Sequence, residues 1–146
     1  MAKTYIDTDA DLGCLDTVNG SVEKFLAGCV CPGKIVMQIL VSVEEVFANV
    51  ANYAYEPEEE KKRKYCKIEL ESGTEGHTGW VRIVVNDGGK PFDPLEREKP
   101  DISLSADERE IGGLGIHMVR TIMDEISYEY KDSRNILTMV KRWNIN

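Results

Sequence analysis

Trp80-Val81-Arg82-Ile83-Val84-Val85-Asn86-Asp87-Gly88-Gly89 decides how this chain is read. Its first six residues have the composition of a strand, and the strand runs out into an acid followed by two glycines. Upstream, Tyr65-Cys66-Lys67-Ile68-Glu69-Leu70 alternates polar and apolar, predicting a partner strand over residues 65–71. Ser72 to Gly79 holds three glycines and is expected to be the hairpin loop between them. Further upstream, a strand is expected over residues 3–8 and a helix from Asp11, its N-cap, to Ala27. Cys31-Pro32-Gly33 breaks the chain before a longer helix from Gly33 to Tyr55. Glu56-Pro57-Glu58-Glu59-Glu60-Lys61-Lys62-Arg63-Lys64 reads as a solvated connector.

Downstream, Gly88 to Gly113 is long for a structureless connection, and such loops tend to be functional lids. A helix of about ten residues is expected from Leu114. Two strands follow, Glu125 to Tyr130 and Ile136 to Lys141, split by a turn over Lys131-Asp132-Ser133-Arg134-Asn135. Hairpins and helices grouped in this way predict an α+β, two-layer sandwich with helices on one face of a mainly antiparallel sheet. A chain of 146 residues is expected to form a single domain.

Composition narrows the function. A formal net charge of −8 argues against binding nucleic acid or anionic membranes through phosphate neutralisation. Phosphate-bearing small molecules stay in play, because backbone N–H groups and a metal handle their charge. No apolar run of signal-peptide length opens the chain and none of transmembrane length is expected later, so a cytoplasmic location is the default. Cys14, Cys29, Cys31 and Cys66 are then expected to be reduced thiols.

Three blocks carry candidate chemistry. In the long helix, Ile35, Val36, Ile39, Leu40, Val43, Val46, Phe47, Val50 and Ala54 share one apolar face at helical spacing. Glu45, Asn49 and Asn52 fall on the opposite side, in one stripe. Asn is a poor residue in a helix interior because its side chain competes for backbone hydrogen bonds. One reading has Asn49 offer an amide oxygen to Mg²⁺ while Glu45 orients or deprotonates a nucleophile. The other is an ordinary solvated helix face. At the strand end, Asp87 is suited to accept a hydrogen bond from the exocyclic amine of adenine. Gly89, two residues on, lets the backbone approach a flat ring. Asn, Asp and Gly also make common turns, so a plain turn remains open. The third block, Gly112-Gly113-Leu114-Gly115-Ile116, puts glycines at the head of a helix, where free N–H groups and the helix dipole bind phosphate. A flexible loop before a capped helix explains it equally well. Lys90, Lys99 and Arg109 are further phosphate candidates in the lid. Neither a P-loop nor an early Gly-x-Gly-x-x-Gly turn is present.

Taken in order, the blocks resemble a known set. Glu45-Val46-Phe47-Ala48-Asn49 resembles the N box of the GHKL ATPases, Asp87-Gly88-Gly89 the first glycine box and Gly113-Leu114-Gly115 the second. With Pro91-Phe92-Asp93-Pro94 and Gly112-Gly113-Leu114-Gly115-Ile116, the chain looks most like bacterial anti-sigma factor serine/threonine kinases. Pro91 departs from larger members, which often carry another glycine there. No dimerisation and phosphoacceptor helices precede the blocks, so the likeness is not to a complete histidine kinase. The resemblance implies a Bergerat fold with a long ATP lid. It also implies ATP and Mg²⁺ as cofactors, Asn49 as the metal ligand and Glu45 as the general base. Asn52, Asp87, Gly89, Gly113, Leu114 and Gly115 would form the nucleotide site. The implied reaction is transfer to a serine of a STAS-domain anti-anti-sigma protein, in a homodimer that also binds a sigma factor. The alternative is a non-catalytic, nucleotide-gated module that sequesters a regulatory partner.

Overall fold

The computed structural model describes residues 1–56, 63–96 and 113–145. Five strands form one antiparallel sheet: β1 (Ala2–Asp9), β2 (Tyr65–Glu75), β3 (Thr78–Asp87), β4 (Glu125–Lys131) and β5 (Arg134–Asn144). Their order is β1-β2-β3-β5-β4, so β3 and β5 are central partners although far apart in sequence. The helices are α1 (Leu15–Ala27), α2 (Gly33–Asn49) and α3 (Gly113–Ile122). This is the expected α+β sandwich.

The core lies between the sheet and the helices. Alternate residues of β2 and β3 (Cys66, Ile68, Leu70, Val81, Ile83 and Val85) are buried, as period-two geometry requires. Val18, Val22 and Leu26 of α1 and Ile39, Val43, Val46 and Phe47 of α2 cover them at helical spacing. Asp11 caps the chain's entry into α1, its carboxylate accepting from the Gly13 N–H at 3.0 Å. The cap opens a short 3₁₀ turn (Leu12–Cys14) that runs into the helix.

Three local expectations need correction. The hairpin between β2 and β3 is tighter than Ser72 to Gly79: the strands run through those glycines and the turn is at Gly76, with φ +61°. Gly73 and Gly79 sit in strands because rings lie over them. A Cβ on Gly73 would come within 2.7 Å of Trp80, and one on Gly79 within 2.5 Å of Trp143. The second hairpin likewise turns on Asp132 and Ser133 alone, both left-handed (φ 53° and 61°), which leaves Asn135 inside β5. Finally, Gly33–Ala54 does reach transmembrane length: α2 and its continuation make a 22-residue helix containing an 18-residue window of mean hydropathy 1.3. Its apolarity is that of a core helix, since Ile39, Val43 and Phe47 are fully buried.

Candidate functional site

α2 does not end at Asn49 but continues as a π-helical turn, Val50–Ala54. A π turn takes more residues per revolution than an α turn, so it rotates later side chains off the preceding stripe. Asn49 and Asn52 therefore part company. Asn49 is buried and Asn52 is exposed, outside the cavity that Asn49 lines. The stripe expected to share one side thus divides, with Asn49 turned into the protein and Glu45 half-buried.

That cavity lies between the end of α2, the ends of β3 and β5, and the base of the presumed lid. Its lining includes Val46, Asn49, Asp87, Phe92, Tyr128 and Asn135. At about 30 Å³ it admits little more than a water. A purine needs more room than this, which outward movement of the Phe92 ring would provide. Phe92 stacks on Tyr53, with ring centroids 5.8 Å apart.

Asp87 and Asn135 face each other across the β3–β5 ladder, 3% and 5% exposed. Burying a carboxylate this deeply costs free energy unless donors surround it. Here Asp87 Oδ1 accepts from the Gly89 N–H at 2.9 Å and from Asn135 Nδ2 at 2.9 Å. The same Asn135 nitrogen donates to the Lys90 carbonyl at 2.8 Å. Its Oδ1 accepts from the Phe92 N–H at 2.9 Å and from the Tyr128 hydroxyl. All of the amide's hydrogen-bonding capacity is thereby engaged. Asn135 is the residue that reading the sequence missed. It looked like one more polar residue in a turn, and only the long-range register places it opposite Asp87.

The glycines after Asp87 are clamped from the other side. Lys90 N–H donates to the Ala54 carbonyl at 2.9 Å, and a Cβ on Gly89 would fall on that carbonyl. The buried Tyr55 hydroxyl accepts from the N–H groups of Gly88 (2.9 Å) and Tyr65 (3.1 Å), and donates to the Tyr65 carbonyl at 2.6 Å. Burial pushes its pKa up to about 12, so it remains a donor at any physiological pH. Only glycine permits so close an approach at position 89.

Glu45 meets the third block. Its carboxylate packs on Gly115 so closely that a Cβ there would overlap Oε2. The geometry thus brings the acid of α2 to Gly115 in the first turn of α3. Burial, and next the charge of Glu44, hold the Glu45 carboxyl above the usual carboxylate range. Gly113 opens α3, and Leu114 lies in its first turn. Gly112, Lys99 and Arg109 lie outside the described residues. Lys90 pairs with Glu56 at 2.5 Å on the surface. Arg120 of α3 donates to the Leu95 carbonyl at 3.1 Å, tying the segment after β3 to that helix.

A buried acid at a strand end, an amide one turn from a carboxylate, and a glycine-headed helix on that carboxylate agree with a nucleotide-binding ATPase domain. The chain belongs to the histidine kinase-like ATPase domain family, which it matches over residues 8–141. Among its relatives is the serine/threonine-protein kinase BtrW of Bordetella bronchiseptica. The two are 32% identical over 59 residues, 40% of this chain and 42% of that protein. A crystal structure of the RsbU and RsbW domains of Rv1364c from Mycobacterium tuberculosis has the same fold. It matches with a TM-score of 0.69 at 15% identity, across 100% of this chain and 34% of that one. The matched stretch thus covers less than half the length of either protein.

Proposed function

We propose that this protein is an ATP-dependent serine/threonine kinase acting as a cytoplasmic anti-sigma factor, and that its phosphoacceptor is a STAS-domain protein. The observation that carries the reading is the contact of Glu45 with Gly115, because it sets a base beside the backbone suited to hold transferable phosphates. The family match and the likeness to BtrW support the same class of chemistry.

In this reading Asp87 accepts the amine of adenine, and Gly89 leaves room for the ring. The N–H groups at Gly113, Leu114 and Gly115 face the phosphates, with the positive end of the α3 dipole behind them. The residues present fit a divalent cation: the Asn49 amide oxygen is a hard donor on the wall of the cavity, one turn from Glu45. Mg²⁺ bound there would neutralise phosphate charge. Glu45 takes the proton of the acceptor serine as its oxygen bonds to the γ-phosphorus and the bond to the β–γ bridging oxygen breaks. Burial, and next Glu44, raise its pKa, which makes it a better base than an ordinary carboxylate.

The test is incubation with labelled ATP, Mg²⁺ and STAS-domain proteins from the same genome. Label is expected on one of them and lost with Glu45→Ala, while ATP affinity is largely kept. ATP binding with no label on any such protein would instead support a nucleotide-gated module that sequesters a partner without modifying it.

A further inference from the structure

We infer that Asn135, held by Tyr128, is the positioning residue for base selection in this pocket. It fixes the plane of the Asp87 carboxylate so that the site favours an adenine amine over the carbonyl of a 6-oxopurine. The inference rests on the ATP-binding reading above and goes beyond it.

The argument starts from geometry. A carboxylate distinguishes an amine from a carbonyl only if it stays an acceptor and its plane is held. Asp87 Oδ1 meets two donors from different elements, Gly89 N–H from the loop and Asn135 Nδ2 from β5. Two bonds to one oxygen restrict rotation of the group. Asn135 is itself held at both ends. Its nitrogen also donates to the Lys90 carbonyl, and its oxygen is gripped by Phe92 N–H and the Tyr128 hydroxyl. The amide therefore cannot flip without setting its nitrogen against two donors and its oxygen against two acceptors. One buried side chain thus fastens β3, β4, β5 and the start of the presumed lid around the base-reading acid.

Asn135→Asp keeps the shape and replaces the donor by a second carboxyl. Two carboxylates sharing a site do not both ionise readily, so the pair takes up a proton with a raised pKa. Among the described residues, Tyr55, Cys66, Asp93 and Tyr130 are titratable groups coupled to Asp87 or Tyr128. Burial raises Tyr55, Cys66 and Tyr128 above their ordinary values, so these three stay protonated across the window tested.

The experiment measures dissociation constants for ATP and inosine triphosphate, each with Mg²⁺, on the full chain from about pH 5.5 to about pH 8. The wild-type chain is expected to prefer ATP by about tenfold or more throughout. In Asn135→Asp the preference should collapse towards unity at the alkaline end. It should return as the pH falls, because the protonated acid again donates to Asp87. Tyr128→Phe leaves the Phe92 N–H in place and should erode the preference only a few-fold, with no recovery at low pH. It also serves as the test if Asn135→Asp does not fold. A residue with a merely structural role would weaken both nucleotides equally and leave their ratio unchanged in both variants. That result overturns the inference while leaving ATP binding intact. If the wild-type chain binds neither nucleotide, the functional reading falls and this inference falls with it.

Discussion

The β3–β5 ladder ends in two unlike ways, and the contrast separates what holds this fold from what the fold is for. At one end Gly79 faces Trp143, whose ring covers the glycine while its Nε1 donates to the Val30 carbonyl at 2.7 Å. At the other end Asp87 faces Asn135, and both are buried polar groups among several donors and acceptors. The first end is an apolar lock stabilised by excluded surface. The second buries a carboxylate and an amide where a pair of apolar residues would cost less free energy. Glycine serves at both ends for different reasons. At Gly79 it makes room for the protein's own indole and at Gly89 for the Ala54 carbonyl, whereas Gly115, away from the ladder in α3, makes room for the Glu45 carboxylate.

The largest expected effect separates those two uses. Gly115→Ala drives the Glu45 carboxylate from its seat, and a flexible side chain yields at little cost to the fold. Phosphoryl transfer should fall by about 10²–10⁴-fold with the melting temperature nearly unchanged, measured by label transfer and thermal unfolding. Equal losses of stability and transfer would erase the distinction. Gly79→Ala should do the reverse. Its methyl meets a ring that is packed and hydrogen-bonded, so stability should drop by about 1–3 kcal/mol in denaturant titration. Nucleotide affinity of the folded fraction should stay at the wild-type value. The smallest effect sharpens the reactive end. With Glu45 as the proposed base, transfer should be lost as pH falls through a pKa held above the ordinary carboxylate value, first by burial and then by Glu44. Glu44→Gln removes the like charge and lowers that pKa, so the acid limb of the pH–rate profile should move to lower pH. Burial remains, so the limb should stay above where a solvated glutamate would set it.

The two ends also differ in how far they were legible beforehand. Asp87, Gly89, Glu45 and Asn49 belong to contiguous blocks whose spacing carries a resemblance, so the candidate site was readable before any coordinates. Asn135 was not, because its role depends on a pairing between strands 48 residues apart in sequence, from Asp87 to Asn135. Asn52 leaves its expected stripe for a local reason. Helical spacing puts it on the Asn49 stripe, but the π turn after Asn49 rotates it into solvent. Gly73 and Gly79 looked like loop because glycine usually marks one. The tryptophans that require them lie on β3 and β5, beyond the reach of a local pattern. Alternation and helical periodicity report burial well. They say little about which distant side chain fills a given space.

The central claim is that the polar end of the ladder reads a nucleotide base, and Asp87→Asn tests it most directly. The amide has nearly the shape of the carboxylate and can still accept from Gly89 N–H and Asn135, so the fold should survive. Calorimetric titration with ATP and Mg²⁺ should show wild-type binding and a loss of about tenfold to a hundredfold in the variant. Unchanged ATP affinity in a folded Asp87→Asn protein would contradict the account.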